Sequence, residues 1–534
     1  MSSELIASSS FGSPVSPSLV DRTGKRPHRR SRISCRRRAF LHGLRVTSRG
    51  SSTTLPRHCH GSVPGAAWSV RPFSGRPRRH PLTEISSSTV LRPGDPGYDE
   101  ARTVFNGLID RSPARIVKCA SAQEVADAIT QALADGLSIS VYGGGHGVTG
   151  AAVIDGGVCV DLRPLAHVVV DPDARTARVG GGATWGMVDA ATQEHGLAVT
   201  GGRVSTTGVG GLSLGSGSGW LERKLGFTCD NLLAAEVVTA SGDIVTASES
   251  ENPDLFWAIR GGGGNFGVVT EFTFRLHEVG PIVYGGMLLY PGFQAREVLT
   301  HWRDFMLTAP DEVGSGVALI TAPPEEFVPE PARGQPAVGV LLLYAGDVDE
   351  GREVLAPLTE FGPPAANLVQ PMPYVAVQQL LDPPNVKGMH NYWSGDFLSS
   401  FPDEAVDTYL AHAMPPVSPL SQIIIVAGGG AIARVDDDAT AFGNRQSPWN
   451  LHYLSMWPPD HAQDETNIAF TRRLAGSMKP WSTGHAYLNF IGDEGLLRVE
   501  AAYGRETYQR LRELKKAWDP TNVFRHNQNI PPAE

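Results

Sequence analysis

Cysteine is scarce in this chain, with five among 534 residues, at positions 35, 59, 119, 159 and 229. None falls in a C-x-x-C pair and no spacing matches a zinc site. A disulfide framework and structural zinc are therefore excluded as organising principles, and no metal is expected. Cys119, Cys159 and Cys229 border apolar runs and are expected to be buried free thiols. Long apolar runs are missing as well: nothing approaches the roughly 18 consecutive apolar residues of a spanning helix, so no membrane segment is expected. Acidic residues are nearly absent from one end. Up to Arg92 there are 17 Lys/Arg against three Asp/Glu, which leaves 29 of the 46 basic and 52 of the 55 acidic residues for the remainder. The body of the chain is thus acidic, which argues against a nucleic-acid partner.

What is present is glycine (60), proline (40) and a 41% hydrophobic content, enough for a soluble chain of two or three domains with many tight turns. Residues 1–95 are Ser-, Arg- and Pro-rich and lack the apolar material for a core, so a disordered basic extension is expected there. Arg37-Arg38-Ala39-Phe40-Leu41 resembles a twin-arginine signal, but His42-Gly43-Leu44-Arg45 starts no apolar h-region. The extension reads as sequence upstream of the true start, with a transit-type leader or a basic tail as alternatives. A cytoplasmic location is the expectation.

From Ser112 onward strand and helix patterns alternate. Ala114–Cys119 reads as a strand, and Ser121-Ala-Gln-Glu124 is a capping box opening an amphipathic helix to Ala134. Short strands follow at 138–141, 158–162, 168–170 and 177–179, a helix runs from Thr184 to His195, and a strand over 269–276 closes the region. Further on, 287–290, 338–344 and 422–426 read as strands, and 295–305, 348–361 and 403–411 as helices, which suggests a sheet with helices on one face. A helix over 505–518 and a Pro-rich tail end the chain.

Three glycine-rich runs carry the chemistry. Tyr142-Gly143-Gly144-Gly145-His146-Gly147 follows a strand and sets one imidazole among backbone with almost no side chains, where a ligand can press against N–H groups. Gly145/Gly147/Gly150 and Gly262/Gly264/Gly267 both fit G-x-G-x-x-G, yet neither leads into a helix, so a Rossmann site is rejected. The run 201–219 is too long for one turn. Its Ser205, Thr206 and Thr207 hydroxyls and its bare glycines can wrap a diphosphate, and it lacks the Lys-Ser/Thr ending of an ATP loop.

Several long segments, in order, resemble one family: Gly-Gly-Gly-His-Gly around His146, Val204-Ser-Thr-Thr-Gly-Val-Gly-Gly-Leu212, Asp230–Thr239, Asn252–Thr270, and Trp518–Pro532. The family is the berberine bridge enzyme-like FAD-linked oxidases, within the vanillyl-alcohol oxidase / p-cresol methylhydroxylase superfamily. The resemblance begins near Ser112 and implies an α+β fold with a two-part FAD-binding domain of the p-cresol methylhydroxylase type, residues 96–280 completed by 487–534. Between the two parts it implies an antiparallel-sheet substrate domain backed by helices, residues 281–486.

The resemblance further implies FAD contacts from Tyr142, Gly143, Gly144, Gly145, His146, Gly147, Val204, Ser205, Thr206, Thr207, Gly208, Gly210, Gly211, Leu212, Gly267, Val269 and Asn529. His146 matches the histidine that the family bonds to the flavin 8α-methyl. Many members add a cysteinyl link, but that position is Val204 here, so a single covalent link is implied. In Ala486-Tyr-Leu-Asn-Phe490 relatives often have a tyrosine after the asparagine, where this chain has Phe490. Tyr487 is then the candidate base, with Asn489 beside it. A phenol titrating near 10 needs a neighbouring cation for that role. Tyr392 and Trp393, in Asn391-Tyr-Trp-Ser-Gly395, are read either as pocket edge or as core, and several relatives have lysine in place of Ser394. The implied activity is hydride transfer from a C–H beside an alcohol or amine to FAD, with O2 as reoxidant, giving hydrogen peroxide. Thr207 is small enough to let oxygen approach. A flavin-dependent dehydrogenase and a non-catalytic flavin-binding protein are the alternatives, and the partners implied are a small-molecule substrate and O2, in a monomer or homodimer.

Overall fold

The computed structural model describes residues 90–534. Arg37-Arg38, Cys35, Cys59 and most of the expected extension lie outside the described residues. The boundary expected at residue 95 is too late, because Val90–Leu91 (β1) already pairs antiparallel with Arg115–Lys118 (β2). Val158–Asp161 (β4) lies parallel to β2 and to Ile139–Tyr142 (β3), in the order β1-β2-β4-β3. The helix Ala122–Ala134 covers this sheet. Ser121 Oγ accepts from Glu124 N at 3.2 Å, and the Glu124 carboxylate accepts from Ala120 N at 2.6 Å, so the return bond of the capping box lands one residue early. Val125, Ile129 and Ala132 on its inner face pack against Val117, Ile139 and Val160.

Val168–Asp171 (β5), Thr176–Gly180 (β6), Leu232–Val238 (β8), Ile244–Ser248 (β9) and Val268–Arg275 (β10) form an antiparallel sheet in the order β5-β6-β10-β8-β9. Leu197–Ala198 (β7) and His277–Glu278 (β11) pair beside it. Gly267 leads directly into β10 and Gly150 into a turn, so neither G-x-G-x-x-G match opens a helix. The run 201–219 does contain one: Val209–Leu214 is helical where an open loop was expected.

The remaining strands build one eight-stranded sheet. They are Ile282–Pro291 (β12), Val313–Thr321 (β13), Pro336–Tyr344 (β14), Ala366–Asn367 (β15), Gln370–Pro373 (β16), His390–Leu398 (β17), Gln422–Ala427 (β18) and Trp449–Trp457 (β19). The order is β15-β12-β14-β13-β18-β19-β17, with β16 on β12, and every pair is antiparallel. Side chains alternate between its faces. Ile423, Ile425, Leu451 and Tyr453 lie in the core shared with helices Ala295–Met306, Val348–Thr359, Asp403–Ala413 and Asp464–Met478. Gln422, Ile424, His452 and Leu454 face the other way, onto a cavity.

The tail returns to the first two sheets. Leu511 and Ile530 join the core of β6, β8 and β10, and Phe524 joins that of β2–β4. Lys515, fully buried, donates to Asp519 at 2.7 Å and to the carbonyls of Asn265 and Phe524 at 2.6 and 2.9 Å, stitching the last helix, Arg505–Trp518, to the loop before β10. Among the described residues no helix is long and apolar enough to cross a membrane. Cys119, Cys159 and Cys229 are buried and free, as expected.

Candidate active site

One cavity of about 400 Å³ lies between the glycine-rich loops and the bare face of the large sheet. Residues 143–147, Val204, 207–208, 210–212, Gly267 and Val269 line it, and Tyr487 and Asn489 reach it from the tail. The loop after β3 and the loop before helix Val209–Leu214 cross with their backbones in contact: a Cβ on Gly144 would stand 2.3 Å from Gly208 N, and one on Gly208 2.4 Å from Gly144 N. No side chain fits at either position.

Five expected residues do not line the cavity. Tyr142 turns inward and its hydroxyl donates to the Thr103 carbonyl at 2.8 Å. Ser205 donates through both N and Oγ to the Asp382 carboxylate, at 2.7 and 2.6 Å, which pins the loop carrying Val204. Thr206 acts through His146, as described below. Asn529 stands behind the wall, and its neighbours His526, Asn527 and Gln528 line the cavity instead. Tyr392 is displaced by register. It pairs with Ser455 on the helix side of the sheet and accepts from Arg472 Nε at 3.2 Å, while Trp393, one residue on and opposite Leu454, takes the cavity face.

His146 is half-buried, opening on the cavity and stacked on Phe105 with ring centroids 4.2 Å apart. Its Nε2 is 2.8 Å from Thr206 Oγ1. Burial, and secondarily the Lys387 charge, push its pKa down to about 4, so the imidazole is neutral at pH 7. With Nε2 held by Thr206, Nδ1 is the nitrogen left to react.

The Tyr487 hydroxyl oxygen is a threefold acceptor. It accepts from Gly217 N at 3.1 Å, Ser218 N at 2.8 Å and Asn489 Nδ2 at 3.2 Å. Burial raises its pKa on balance, against the lowering effect of hydrogen bonds from Ser216, Asn489 and the Ser218 N–H, and the Glu222 carboxylate adds a smaller upward push. No cation is among the groups that act on it, and the bonds it accepts tie Tyr487 to the 216–218 turn. Asn489 closes the helix Val209–Leu214, donating to the Leu212 and Gly215 carbonyls at 3.2 and 3.4 Å.

On the sheet side of the cavity sequence reasoning offered Trp393, which does line it, and missed His452. His452 lies on β19, 6% exposed, with Nε2 lacking a hydrogen-bond partner. Phe490 stacks on its ring at 4.0 Å and 5°, and Trp393 meets it edge-on at 5.0 Å. Burial, with the Arg203 charge second, pushes its pKa down to about 3. Arg203 is the cavity's one Lys, Arg, Asp or Glu side chain among the described residues. It pairs with Glu222 at 3.0 Å and stacks over Trp220 at 4.9 Å. The usable signal was the alternation Asn450-Leu-His-Tyr-Leu454, in which a histidine interrupts an apolar strand.

The residues fit a long ligand with polar and flat apolar parts. Ser140, His526 and Asn527 line the cavity, and each carries a buried polar atom without a partner in the protein, a condition that a bound polar group can relieve. Bare glycine backbone lets such a group approach closely.

A family model described as FAD binding domain matches residues 113–248, and one described as Berberine and berberine like matches residues 486–531. An FAD-linked oxidoreductase of Dictyostelium discoideum is 31% identical over 460 residues, covering 84% of this chain and 96% of the relative. The xylooligosaccharide oxidase of Thermothelomyces thermophilus is 29% identical over 462 residues, covering 80% and 89%. The crystal structure of 6-hydroxy-D-nicotine oxidase from Arthrobacter nicotinovorans superposes with a TM-score of 0.73 at 29% identity, over 85% of this chain and 100% of that one.

Proposed function

The chain belongs to the berberine bridge enzyme-like FAD-linked oxidoreductases, with the fold of the p-cresol methylhydroxylase-type FAD oxidases, and from that premise we propose that it is an oxidase holding FAD through one covalent bond, from His146 to the flavin 8α position. The observation that carries this reading is the state of His146: neutral, facing the cavity, with Nε2 tied to Thr206 so that Nδ1 is available. FAD bound there supplies the acceptor for a hydride from a C–H beside an alcohol or amine, and O2 restores it with release of hydrogen peroxide. A neutral imidazole nitrogen is the nucleophilic form, and Val204 offers no thiol for a second bond.

The residues that hold the cofactor follow from the cavity. The glycine loops around 143–147 and 207–212 supply backbone for the polar part. Ser140, His526 and Asn527, each with an unpartnered buried polar atom, line the same space. Substrate enters against the sheet face, where Trp393, His452 and Leu454 stand. Relatives include, by their names, oxidases of a hydroxynicotine and of xylooligosaccharides, so both amines and alcohols are admissible at this level.

Acid precipitation tests the bond directly. The expected outcome is a yellow pellet from the native protein and a colourless pellet under a yellow supernatant from His146→Ala. A colourless native pellet refutes covalency. Peroxide release during turnover checks the oxidase assignment, and flavin that stays reduced in air would make the protein a dehydrogenase.

A further inference from the structure

Cysteine spacing bears only on thiolate zinc sites, and histidine with aspartate makes a different ligand set. We propose that His390, His461 and Asp464 form a binding site for a divalent transition-metal ion, zinc foremost, at the β17 edge of the eight-stranded sheet. None of the three lines the cavity, so the inference is independent of the oxidase reading.

Three observations carry the inference. First, the fold brings the ligands together from two separate stretches. His390 opens β17 opposite Trp457, the last residue of β19. The turn that follows carries His461 and then Asp464, the first residue of the helix Asp464–Met478. One ring nitrogen of each histidine and one oxygen of Asp464 lie within 4.8 Å of one another. Around a zinc ion with bonds of about 2.0–2.1 Å, ligand atoms stand about 2.9 Å apart at right angles and about 3.3 Å apart in a tetrahedron. His390 Nδ1 is 2.9 Å from Asp464 Oδ1, and His461 Nδ1 is 2.8 Å from Asp464 Oδ2, so the observed separations bracket both geometries. Second, Asp464 has no permanent counter-charge. The hydrogen bonds it accepts among the described residues come from three side chains, His390, His461 and the Trp457 Nε1–H at 2.9 Å, and no Lys or Arg there pairs with it. Helix capping needs a backbone N–H as donor and does not explain two imidazoles converging on one carboxylate. Third, the ligands differ in freedom. The His390 side chain is 3% exposed and meets Trp457 edge-on at 5.8 Å, while the same indole fixes the carboxylate. The His461 side chain is 80% exposed, on the one-turn helix His461–Gln463. Two ligands are held in advance, the third can close on an ion from solvent, and the open side leaves positions for water.

Two imidazoles and a carboxylate are a set of intermediate hardness. It suits zinc, nickel and cobalt(II), and suits magnesium or calcium poorly, since those ions take oxygen ligands. Coordination replaces the two N–H hydrogen bonds to Asp464. Each ring presents a nitrogen lone pair to the ion, and the displaced proton moves to the other ring nitrogen or to solvent. No electron is transferred and no covalent bond between non-metal atoms is made. The bound ion ties the first residue of β17 to the entry of the helix Asp464–Met478, which packs on β17 and β19, so it stabilises the folded chain.

The test uses the full-length holoprotein, stripped of metal with EDTA and dialysed. Zinc, magnesium and calcium chlorides are titrated by calorimetry, bound zinc is counted by mass spectrometry, and Tm is followed. His461→Ala and Asp464→Asn are the comparators. The first removes an exposed ring, and the second keeps an oxygen for the Trp457 N–H, so both should fold. His390→Ala is avoided because its ring is packed on Trp457. The wild type is expected to hold one zinc ion per chain more than either variant, with affinity about tenfold or more higher. Its Tm should rise by about 3 °C at a free zinc concentration roughly 100 times the Kd. Reading the difference between chains removes any zinc taken by His58, Cys59 and His60, which lie outside the described residues. Zinc uptake retained in full by either variant overturns the proposal. So does a wild type that takes up no zinc, or that binds calcium or magnesium as tightly as zinc.

Discussion

On one wall of the cavity the loops 143–147, 207–212 and 261–267 present backbone. On the other, β13, β17, β18 and β19 present alternate side chains. The loop wall is made where residues are missing atoms: a Cβ on Gly144 or Gly208 would strike the opposite backbone. Such a surface is fixed by sterics and reads a cofactor's outline without regard to what the enzyme oxidises. The sheet wall is made of what each strand turns toward the cavity, so exchanging Trp393, His452 or Leu454 leaves the ladder intact while changing what fits. The contrast explains how one architecture hosts a hydroxynicotine oxidase and a xylooligosaccharide oxidase among this chain's relatives.

The largest effect is expected from breaking the loop wall. In Gly208→Ala the new Cβ meets backbone atoms of Gly144 at 2.4 and 2.5 Å, and neither loop has a flexible side chain to move. A cost of roughly 3 kcal/mol or more is expected, at or above the top of the usual range for overpacking. The measurement is soluble yield and Tm, both of which should fall sharply. Gly211→Ala is the sharpening partner. Its Cβ meets nothing in the protein within 4 Å although Gly211 lines the cavity. That variant should fold with near-native Tm and lose flavin occupancy. Full flavin occupancy in Gly211→Ala would mean that the cofactor does not approach this part of the wall.

The same contrast decides what was legible beforehand. The loop wall is written in glycine, which has few reasons to recur in such density, so residues 143–147 and 207–212 could be placed on one ligand before any coordinates. The register of the sheet wall could not. Tyr392 and Trp393 are neighbours in sequence, and only the pairing Tyr392↔Ser455 and Trp393↔Leu454 decides which of them meets the cavity. β13, β17 and β19 were not recognised as strands, since Gly314 and Gly316 thin the apolar pattern of the first and polar residues interrupt the other two. His452 was missed for that reason. Asn529 was assigned to the cavity on the family motif, and the structure gives that place to residues 526–528.

Acidification should separate two buried groups, one in the helix behind the loops and one on the sheet wall. Asp189, in the helix Trp185–Gln193 behind the loops, is raised to about 7 chiefly by burial, against the donation of Gln378 Nε2 at 3.1 Å. Its folded form holds a proton that the unfolded chain releases above about 4, so its contribution to stability is present at low pH and is lost as pH rises through 7. His452 runs the other way. Its folded pKa is about 3 against about 6.5 when unfolded. Its contribution is complete above about 6.5 and disappears as pH falls toward 3. Between pH 7 and pH 5 the two differ in sign and each amounts to about 2 kcal/mol. Urea unfolding at those two pH values is the check. Relative to wild type, Asp189→Asn should lose more stability on acidification and His452→Gln less. Shifts of the same sign in both variants would show that the two sites do not titrate independently.

The smallest effects test the register of the sheet wall alone. Trp393→Ala removes an indole from the cavity face and leaves β17 paired, so substrate affinity should fall by roughly 1–2 kcal/mol, about 5- to 30-fold in KM, from lost apolar contact. Tyr392→Phe removes a hydroxyl whose partner, Arg472, is on the outer helix Asp464–Met478. A half-exposed contact of that kind is worth a few tenths of a kcal/mol, and both kcat and KM should stay within about twofold of wild type. The pair is informative because the two residues are adjacent: any general weakening of β17 would move both variants together, whereas opposite sides of a sheet separate them. A tenfold loss in Tyr392→Phe with Trp393→Ala unaffected would place the strand one residue out of register and turn every side chain on it to the other face.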